Sequence, residues 1–165
     1  MSIGNFRDRK GTGLLLYGKK FTASGRAIAA RRGDILAVIV PIPPLVLVVD
    51  DDVDTREMYG WCLEGYGFRV QLAGSVAAAL AHAAVETPAA IITDFTLPGG
   101  DGFSLADALR GSADTAHVRL VLVSGRTFDA DAQERARTLF DRVLLKPVLP
   151  DDLAGHLAGL GVKSV

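Results

Sequence analysis

A chain of 165 residues, of which 49% are hydrophobic and 22% charged, is long enough for one packed domain and a tail but too short for two full domains. This composition argues against global disorder, and the single cysteine, Cys62, excludes an internal disulfide and fits a reducing, cytoplasmic setting. The net charge of −1 is unevenly distributed: residues 1–44 carry eight lysines and arginines against two aspartates, whereas residues 45–165 carry ten basic and seventeen acidic residues.

The basic segment at residues 1–44 does not join the pattern that follows it. Six glycines interrupt it and no long amphipathic period emerges, so we expect a mobile extension, with residues 35–40 as a candidate edge strand. The apolar run at residues 35–49 contains three prolines and is shorter than the roughly 20 residues that a membrane-spanning helix needs, so we expect no membrane span. A basic tail beside an acidic domain also fits an anionic partner, although a solvated extension is the simpler interpretation.

From residue 45 onward, apolar runs alternate with helical patterns. The unbroken aliphatic run at residues 45–49 is typical of a central parallel strand that is buried on both faces. The other predicted strands cover residues 68–72, 90–93, 120–123 and 143–145. The predicted helices cover residues 55–64, 76–86, 104–110, 129–139 and 150–160. Five strand–helix units in succession predict an α/β fold, a doubly wound five-stranded parallel sheet with helices on both faces.

Local signals in the first helix suggest its buried face and its cap. Met58, Trp61 and Cys62 recur at helical spacing, which predicts that they form the buried face. Asp54 is well placed to cap the helix. We interpret Asp52 and Asp54 as capping and solvated residues rather than metal ligands.

Polar residues follow four of the five predicted strands. They are Asp50, Asp51 and Asp52 after the first strand, Asp94 after the third, Ser124 after the fourth and Lys146 after the fifth. Because the carboxyl ends of parallel strands share one edge of the sheet, we expect these side chains to lie close together. Converging carboxylates repel one another unless a cation sits among them, and carboxylate oxygens with water suit Mg²⁺.

Such a cluster has the groups that phosphoryl transfer requires. The charge on the phosphoryl oxygens must be neutralised while the attacking and leaving groups are held in line. A carboxylate can act as the nucleophile and form an aspartyl phosphate. The sequence therefore predicts a phosphoryl-transfer site at this edge.

Four segments resemble the receiver domain of two-component response regulators. They are Leu-Val-Val-Asp-Asp (47–51), Ile-Ile-Thr-Asp-Phe-Thr-Leu-Pro-Gly-Gly-Asp-Gly (91–102), Leu-Val-Ser-Gly (122–125) and Leu-Leu-Lys-Pro (144–147). The resemblance covers about residues 45–161, so we expect a receiver domain at residues 45–162. It implies a flavodoxin-like sheet with the strand order 2-1-3-4-5.

The resemblance also implies a role for each matching residue. Asp94 is the phosphoacceptor, Ser124 hydrogen-bonds one phosphoryl oxygen and Lys146 pairs with another. The implied Mg²⁺ ligands are Asp50, Asp51, Asp94 and the backbone carbonyl of Thr96, with Asp51 binding directly and Asp50 mainly through water. Pro147 resembles the family's proline that follows the lysine through a cis bond.

Two departures from the family pattern concern regulation. The family usually has a tyrosine or phenylalanine three residues before the lysine, whereas this chain has Val143. Phosphorylation chemistry does not need that aromatic ring, but the family's usual conformational response to phosphorylation does. Arg126 and Thr96 occupy positions that tune the lifetime of the phosphoryl group in the family.

The resemblance implies a signalling protein rather than an enzyme, one that promotes its own phosphorylation and dephosphorylation. We expect a histidine kinase or histidine phosphotransfer protein as the donor and a further protein as the downstream partner. Because the printed sequence ends at Val165, just after the last helix, we expect no output domain, no direct nucleic-acid binding, and a monomer or weak dimer. Output, relay and phosphate-sink roles all fit.

Two alternatives are weaker. A hydrolase of the haloacid-dehalogenase type also uses an aspartate after its first strand, and Asp50-Asp51-Asp52 offers an Asp-x-Asp, but the position expected to hold Thr or Val is Asp54. A non-phosphorylated binding module has little need for so many mutually repelling acids.

Overall fold

The computed structural model describes residues 5–7, 13–15 and 42–164. In the first part, β1 (Asn5–Arg7) pairs antiparallel with β2 (Gly13–Leu15), a pair that the sequence pattern did not predict. The candidate edge strand at residues 35–40 lies outside the described residues, and the mobility of residues 1–44 stays a prediction. Pro44–Ser164 form a compact unit of their own.

The strands of this unit form one large sheet and one small ribbon. In chain order they are β3 (Leu45–Val49), β4 (Arg69–Ala73), β5 (Ala90–Asp94), β6 (Thr96–Leu97), β7 (Gly100–Asp101), β8 (Arg119–Ser124) and β9 (Arg142–Leu145). The large sheet has the order β4-β3-β5-β8-β9 and all its pairs are parallel. Counted within that sheet, the order is the predicted 2-1-3-4-5, so the fold prediction is confirmed. The two-residue strands β6 and β7 pair antiparallel inside the predicted loop.

Within residues 42–164, four helices connect strands and a fifth follows the last strand. They are α1 (Val53–Gly65), α2 (Val76–Val85), α3 (Gly102–Arg110), α4 (Ala130–Leu139) and α5 (Pro150–Gly159). The prediction that Asp54 caps the first helix is wrong: α1 begins earlier, and the Asp52 carboxylate accepts the Thr55 N–H at 2.8 Å. Asp54 lies in the first turn, where a negative charge is favourable for the helix dipole.

Strand residues alternate between two apolar cores, one on each face of the sheet. Leu47 and Ile91 belong to the core that includes residues of α2, α3 and α4. Val46 and Ile92 belong to the other core, which includes residues of α1 and α5. Central strands buried on both faces explain the continuous aliphatic runs. Among the described residues, no helix is long and apolar enough to cross a membrane.

The predicted buried face of α1 is wrong. Trp61 is 70% exposed and Met58 is 41% exposed, whereas Tyr59 is 4% exposed and Leu63 is fully buried. Tertiary contacts decide the orientation: the Tyr59 hydroxyl donates to the Val148 carbonyl at 3.0 Å, while Leu63 packs in the core that includes residues of α5. The two sets of apolar positions fit the helical period equally well, so periodicity alone could not choose between them.

Candidate functional site

Three charged side chains from separate strands meet at the carboxyl edge of the large sheet. The Lys146 ammonium lies 2.7 Å from Asp94 Oδ1 and 2.9 Å from Asp50 Oδ2. Asp94 is the last residue of β5, Asp50 follows β3, and Lys146 follows β9. Since β8 separates β5 from β9, the lysine side chain extends across the end of a whole strand to reach the two carboxylates.

Asp50 is buried and is held at each of its polar groups. Its N–H makes the last bond to β4, donating to the Ala73 carbonyl at 3.2 Å. Its Oδ1 accepts the Asp52 N–H at 3.0 Å, and its carbonyl accepts a hydrogen bond from the Arg56 guanidinium at 2.5 Å. With Oδ2 bound to Lys146, this carboxylate has one fixed orientation.

Asp94 is similarly fixed where β5 ends. Its Oδ2 accepts the Thr96 N–H at 2.6 Å, while Oδ1 pairs with Lys146. The start of α3 packs closely against this strand end: a Cβ on Gly102 would lie 3.1 Å from the Asp94 carbonyl oxygen and 3.0 Å from Cδ1 of Leu122. Only glycine allows that approach without displacing its neighbours.

The charge of Lys146 is set by the two carboxylates. Burial alone would lower the pKa of this lysine, but the hydrogen bonds to Asp94 and Asp50, together with their negative charges, raise the pKa above its ordinary value. The side chain is therefore a cation at neutral pH. Its backbone N–H donates to the Ser124 carbonyl at 2.8 Å, which anchors the end of β9 to β8.

Ser124 is buried at the end of β8, and its hydroxyl is bonded within its own loop. The hydroxyl donates to the Arg126 carbonyl at 3.0 Å and accepts the Arg126 N–H at 3.1 Å. A phosphoryl oxygen could take the place of the carbonyl as acceptor without moving the strand.

Asp51 stands apart from this contact network, whereas Thr96 joins it only through its backbone N–H, which donates to Asp94 Oδ2. Both residues are exposed, and within residues 42–164 the Asp51 carboxylate makes no hydrogen bond or ion pair with a described residue. No three His, Cys, Asp or Glu side chains in the described part of the chain are gathered into a ready metal-binding set. Asp50, Asp94 and Lys146 are thus brought together, whereas Asp51 is not in contact with them.

The donor set nevertheless fits Mg²⁺. One ammonium faces the carboxylates of Asp50 and Asp94, so negative charge remains in excess, and Asp51 adds a third acid at the same turn. Mg²⁺ usually keeps several waters and takes only one or two carboxylates from the protein. Asp50 and Asp94, with Asp51 and the Thr96 carbonyl, are the residues that would hold it.

Val143 lies beside an open cavity rather than filling it. The cavity has a volume of about 360 Å³ and its lining includes Ser124, Phe128, Arg137 and Val143. Val143 is 41% exposed. The space next to the Ser124 loop is therefore large enough for an aromatic ring at position 143, where this chain has valine. The Lys146–Pro147 peptide bond is cis, as the resemblance implies.

Sequence reasoning missed Arg56 and Tyr59. Arg56 lies near the start of α1, where the helix dipole disfavours a cation, and this unfavourable position was a signal that acidic groups lie nearby. Tyr59 reaches from α1 to the loop after Lys146, and burial raises its pKa, so its hydroxyl is protonated and donates to Val148. No sequence pattern predicts the contact between the Tyr59 hydroxyl and the Val148 carbonyl.

Residues 46–158 match the family model for the response regulator receiver domain. The chain belongs to the response regulator receiver family. This receiver is 30% identical over 112 residues to the phosphate regulon transcriptional regulatory protein PhoB of Klebsiella pneumoniae, covering 68% of this chain and 49% of PhoB. It is 32% identical over 119 residues to response regulator Rre1 of Synechocystis, covering 72% of this chain and 52% of Rre1. The chain spans about half the length of these two relatives.

Solved structures agree with this membership. The chemotaxis response regulator CheY4 of Vibrio cholerae superposes with a TM-score of 0.66 and 25% sequence identity, covering 72% of this receiver and 98% of CheY4. Receiver domains are signalling domains rather than enzymes, and they bind Mg²⁺ at their acidic pocket. In the hydrolase alternative Asp52 would complete the Asp-x-Asp, whereas in this structure its carboxylate caps α1.

Proposed function

We propose that this receiver accepts a phosphoryl group on Asp94 from a histidine kinase or a histidine phosphotransfer protein, and signals in the cytoplasm through a protein partner. The observation that carries the proposal is the Lys146 ammonium, which joins Asp94 to Asp50 at the carboxyl edge of the sheet. A carboxylate held next to a fixed cation is a nucleophile in a site prepared for an anionic group.

The reaction transfers a phosphoryl group from a histidine nitrogen of the donor to a carboxylate oxygen of Asp94. A carboxylate oxygen of Asp94 attacks the phosphorus of a phosphohistidine, a P–O bond forms, and the bond to the imidazole nitrogen breaks as that ring takes up a proton. Mg²⁺, when bound, supplies positive charge to the transferring phosphoryl oxygens. The Thr96 N–H holds Oδ2 of Asp94 and thereby orients the carboxylate.

Lys146 and Ser124 then stabilise the product. The ammonium exchanges its contact with Asp94 Oδ1 for a phosphoryl oxygen while it retains Asp50. The Ser124 hydroxyl exchanges the Arg126 carbonyl for another phosphoryl oxygen. Both residues lie at strand ends, so these exchanges require side-chain and loop movements only.

Intact-protein mass spectrometry tests the proposal. With Mg²⁺ and acetyl phosphate, the wild-type chain should gain the mass of one phosphoryl group, and hydroxylamine should remove it because it is an acyl phosphate. Asp94→Asn should not gain this mass, whereas Asp107→Asn, an exposed aspartate on α3, should react like wild type. Equal labelling of wild type and Asp94→Asn would overturn the proposal.

A further inference from the structure

The guanidinium of Arg56 bonds the backbone at the end of β3. The Asp50 N–H is the last donor from β3 to β4, so the Asp50 carbonyl lies beyond the strand ladder and needs another partner. Arg56 supplies that partner at 2.5 Å. The backbone N–H of Arg56 also donates to the Asp52 carbonyl at 3.0 Å. The Arg56 side chain therefore holds one end of the turn that carries Asp50, Asp51 and Asp52, while its backbone holds the other end through the first helical bond of α1.

Gly74 gives Arg56 the space for this contact. A Cβ at position 74 would lie 3.2 Å from Nη1 of Arg56, closer than ordinary contacts allow, and 3.6 Å from Cζ, an ordinary van der Waals distance. The backbone of Gly74 is not in the left-handed region, which in the described chain is occupied by Gly67, Gly99 and Gly161. The absence of a side chain, and not backbone freedom, thus explains glycine at the end of β4.

We propose that Arg56 is a positioning residue for the acidic turn and that Gly74 is required because it admits the guanidinium. This inference rests on the proposed phosphoacceptor function. By fixing the Asp50 carbonyl, Arg56 holds the Asp50 and Asp51 carboxylates in the arrangement that receives a divalent cation and then a phosphoryl group. Arg56 acts through these residues and touches neither the cation nor the phosphoryl group.

The direction in which Mg²⁺ affinity changes when Arg56 is replaced distinguishes a positioning role from the effect of its positive charge alone. Arg56 is a cation close to an acidic cluster, so by Coulomb repulsion alone its removal should strengthen Mg²⁺ binding. If Arg56 positions the turn, its removal should weaken binding, because the free turn must be ordered when the ion binds. Residues that orient metal ligands change metal affinity about 10- to 100-fold when they are replaced.

The test is calorimetric titration of Mg²⁺ into the metal-free protein for wild type, Arg56→Met, Arg56→Lys and Gly74→Val. We expect Mg²⁺ affinity to fall about tenfold in Arg56→Met and in Gly74→Val, which excludes the guanidinium while keeping its charge. Arg56→Lys should recover part of the affinity, since an ammonium can still donate to the Asp50 carbonyl. Arg135→Met, which removes an exposed cation paired with Asp107, is the matched control and should bind like wild type.

Amide hydrogen exchange without Mg²⁺ provides a second readout. The Asp52 N–H, which donates to Asp50 Oδ1, should exchange about tenfold faster in Arg56→Met and Gly74→Val than in wild type. Unchanged or tighter Mg²⁺ binding with unchanged Asp52 exchange would overturn the proposal, even if both variants were less stable. Phosphoryl labelling of Asp94 in the wild type tests the proposed function separately. If Asp94 is not labelled, the proposed function is contradicted. If Asp94 is labelled but Mg²⁺ affinity and Asp52 exchange are unchanged in the Arg56 variants, only this inference is contradicted.

Discussion

The Lys146 ammonium and Asp94 Oδ1 lie 2.7 Å apart although their strands, β9 and β5, are not neighbours in the sheet. The same ammonium reaches Asp50 beyond β5. A single lysine therefore pairs with acids from two other strands, in the place where a divalent cation and a phosphoryl group are expected. The stability of the domain and its chemistry should both depend on this residue.

Replacement of Lys146 by methionine should destabilise the metal-free protein and favour Mg²⁺ binding. Loss of the ammonium leaves two carboxylates in mutual repulsion, and because the lysine is partly exposed we expect a loss of about 1–2 kcal/mol at pH 7. Since the folded-state pKa of Lys146 is raised, its contribution is fully present below the unfolded-state pKa and is lost as the pH rises through the folded-state value. Urea unfolding of wild type and Lys146→Met at pH 7 measures the loss of stability without Mg²⁺ and the extra stabilisation that Mg²⁺ binding gives the variant. A deficit that Mg²⁺ does not reduce would contradict this account.

Asp141 should make a pH-dependent contribution of the opposite kind. Burial would raise the pKa of Asp141, but the Leu120 N–H and the guanidinium groups of Arg119 and Arg110 outweigh it and lower the pKa. The stabilisation is therefore present above the unfolded-state pKa and is lost as the pH falls through the folded-state value.

Asp141→Asn should be less stable than wild type by about 1–2 kcal/mol at pH 7. The difference should shrink as the pH falls below 3.8, the ordinary pKa of the carboxyl group. Urea unfolding from pH 7 to pH 3 checks this. Asp107→Asn, which loses only an exposed pair with Arg135, should change stability little at any pH. A pH-independent deficit in Asp141→Asn would show that the carboxylate charge is not the cause.

A chain that starts at Ile42 should fold and accept a phosphoryl group as the full chain does. The reason is that Pro44–Ser164 form a compact unit with both apolar cores. Thermal unfolding and acetyl phosphate labelling of the two chains provide the comparison. Loss of cooperative unfolding in the shorter chain would show that residues 35–40 contribute to the sheet after all.

Val143 should limit how far phosphorylation is sensed beyond the site. Valine is stiff at χ1 and too short to follow the Ser124 loop across the adjoining cavity of about 360 Å³. NMR shifts induced by Mg²⁺ and beryllofluoride should be large near Asp94, Ser124 and Lys146 but fade along the rest of residues 140–160. Val143→Tyr, whose ring can enter the cavity, should extend these shifts further along residues 140–160. Large, concerted shifts across β9 and α5 in the wild type would point to a different switch.

The fold could be predicted because the three central strands of the large sheet are buried on both faces. Continuous aliphatic runs such as Leu45–Val49 carry that signal, and the polar residues Asp94 and Ser124 mark where two of the strands end. Because strand ends share one edge of the sheet, the sequence also predicts that Asp50, Asp94 and Lys146 lie close together.

What the sequence could not provide are contacts that depend on tertiary partners. Trp61 and Tyr59 lie on different sides of α1, and only the Val148 carbonyl and the buried Leu63 show which side faces inward. The bond from Arg56 to the Asp50 carbonyl depends equally on side-chain direction and on the space at Gly74. The β1–β2 pair consists of three-residue strands, which are too short for a periodic signal.

The central claim is that Asp94, and not an acid after β3, receives the phosphoryl group. The direct measurement is to label the protein with Mg²⁺ and acetyl phosphate, reduce the acyl phosphate with borohydride, and identify the modified residue by peptide mass spectrometry. We predict modification of Asp94, its loss in Asp94→Asn, and a drop of about tenfold or more in Lys146→Ala, which removes the charge that stabilises the transferring group. Modification of Asp50 or Asp52, with rapid release of phosphate, would contradict the account and favour hydrolase chemistry.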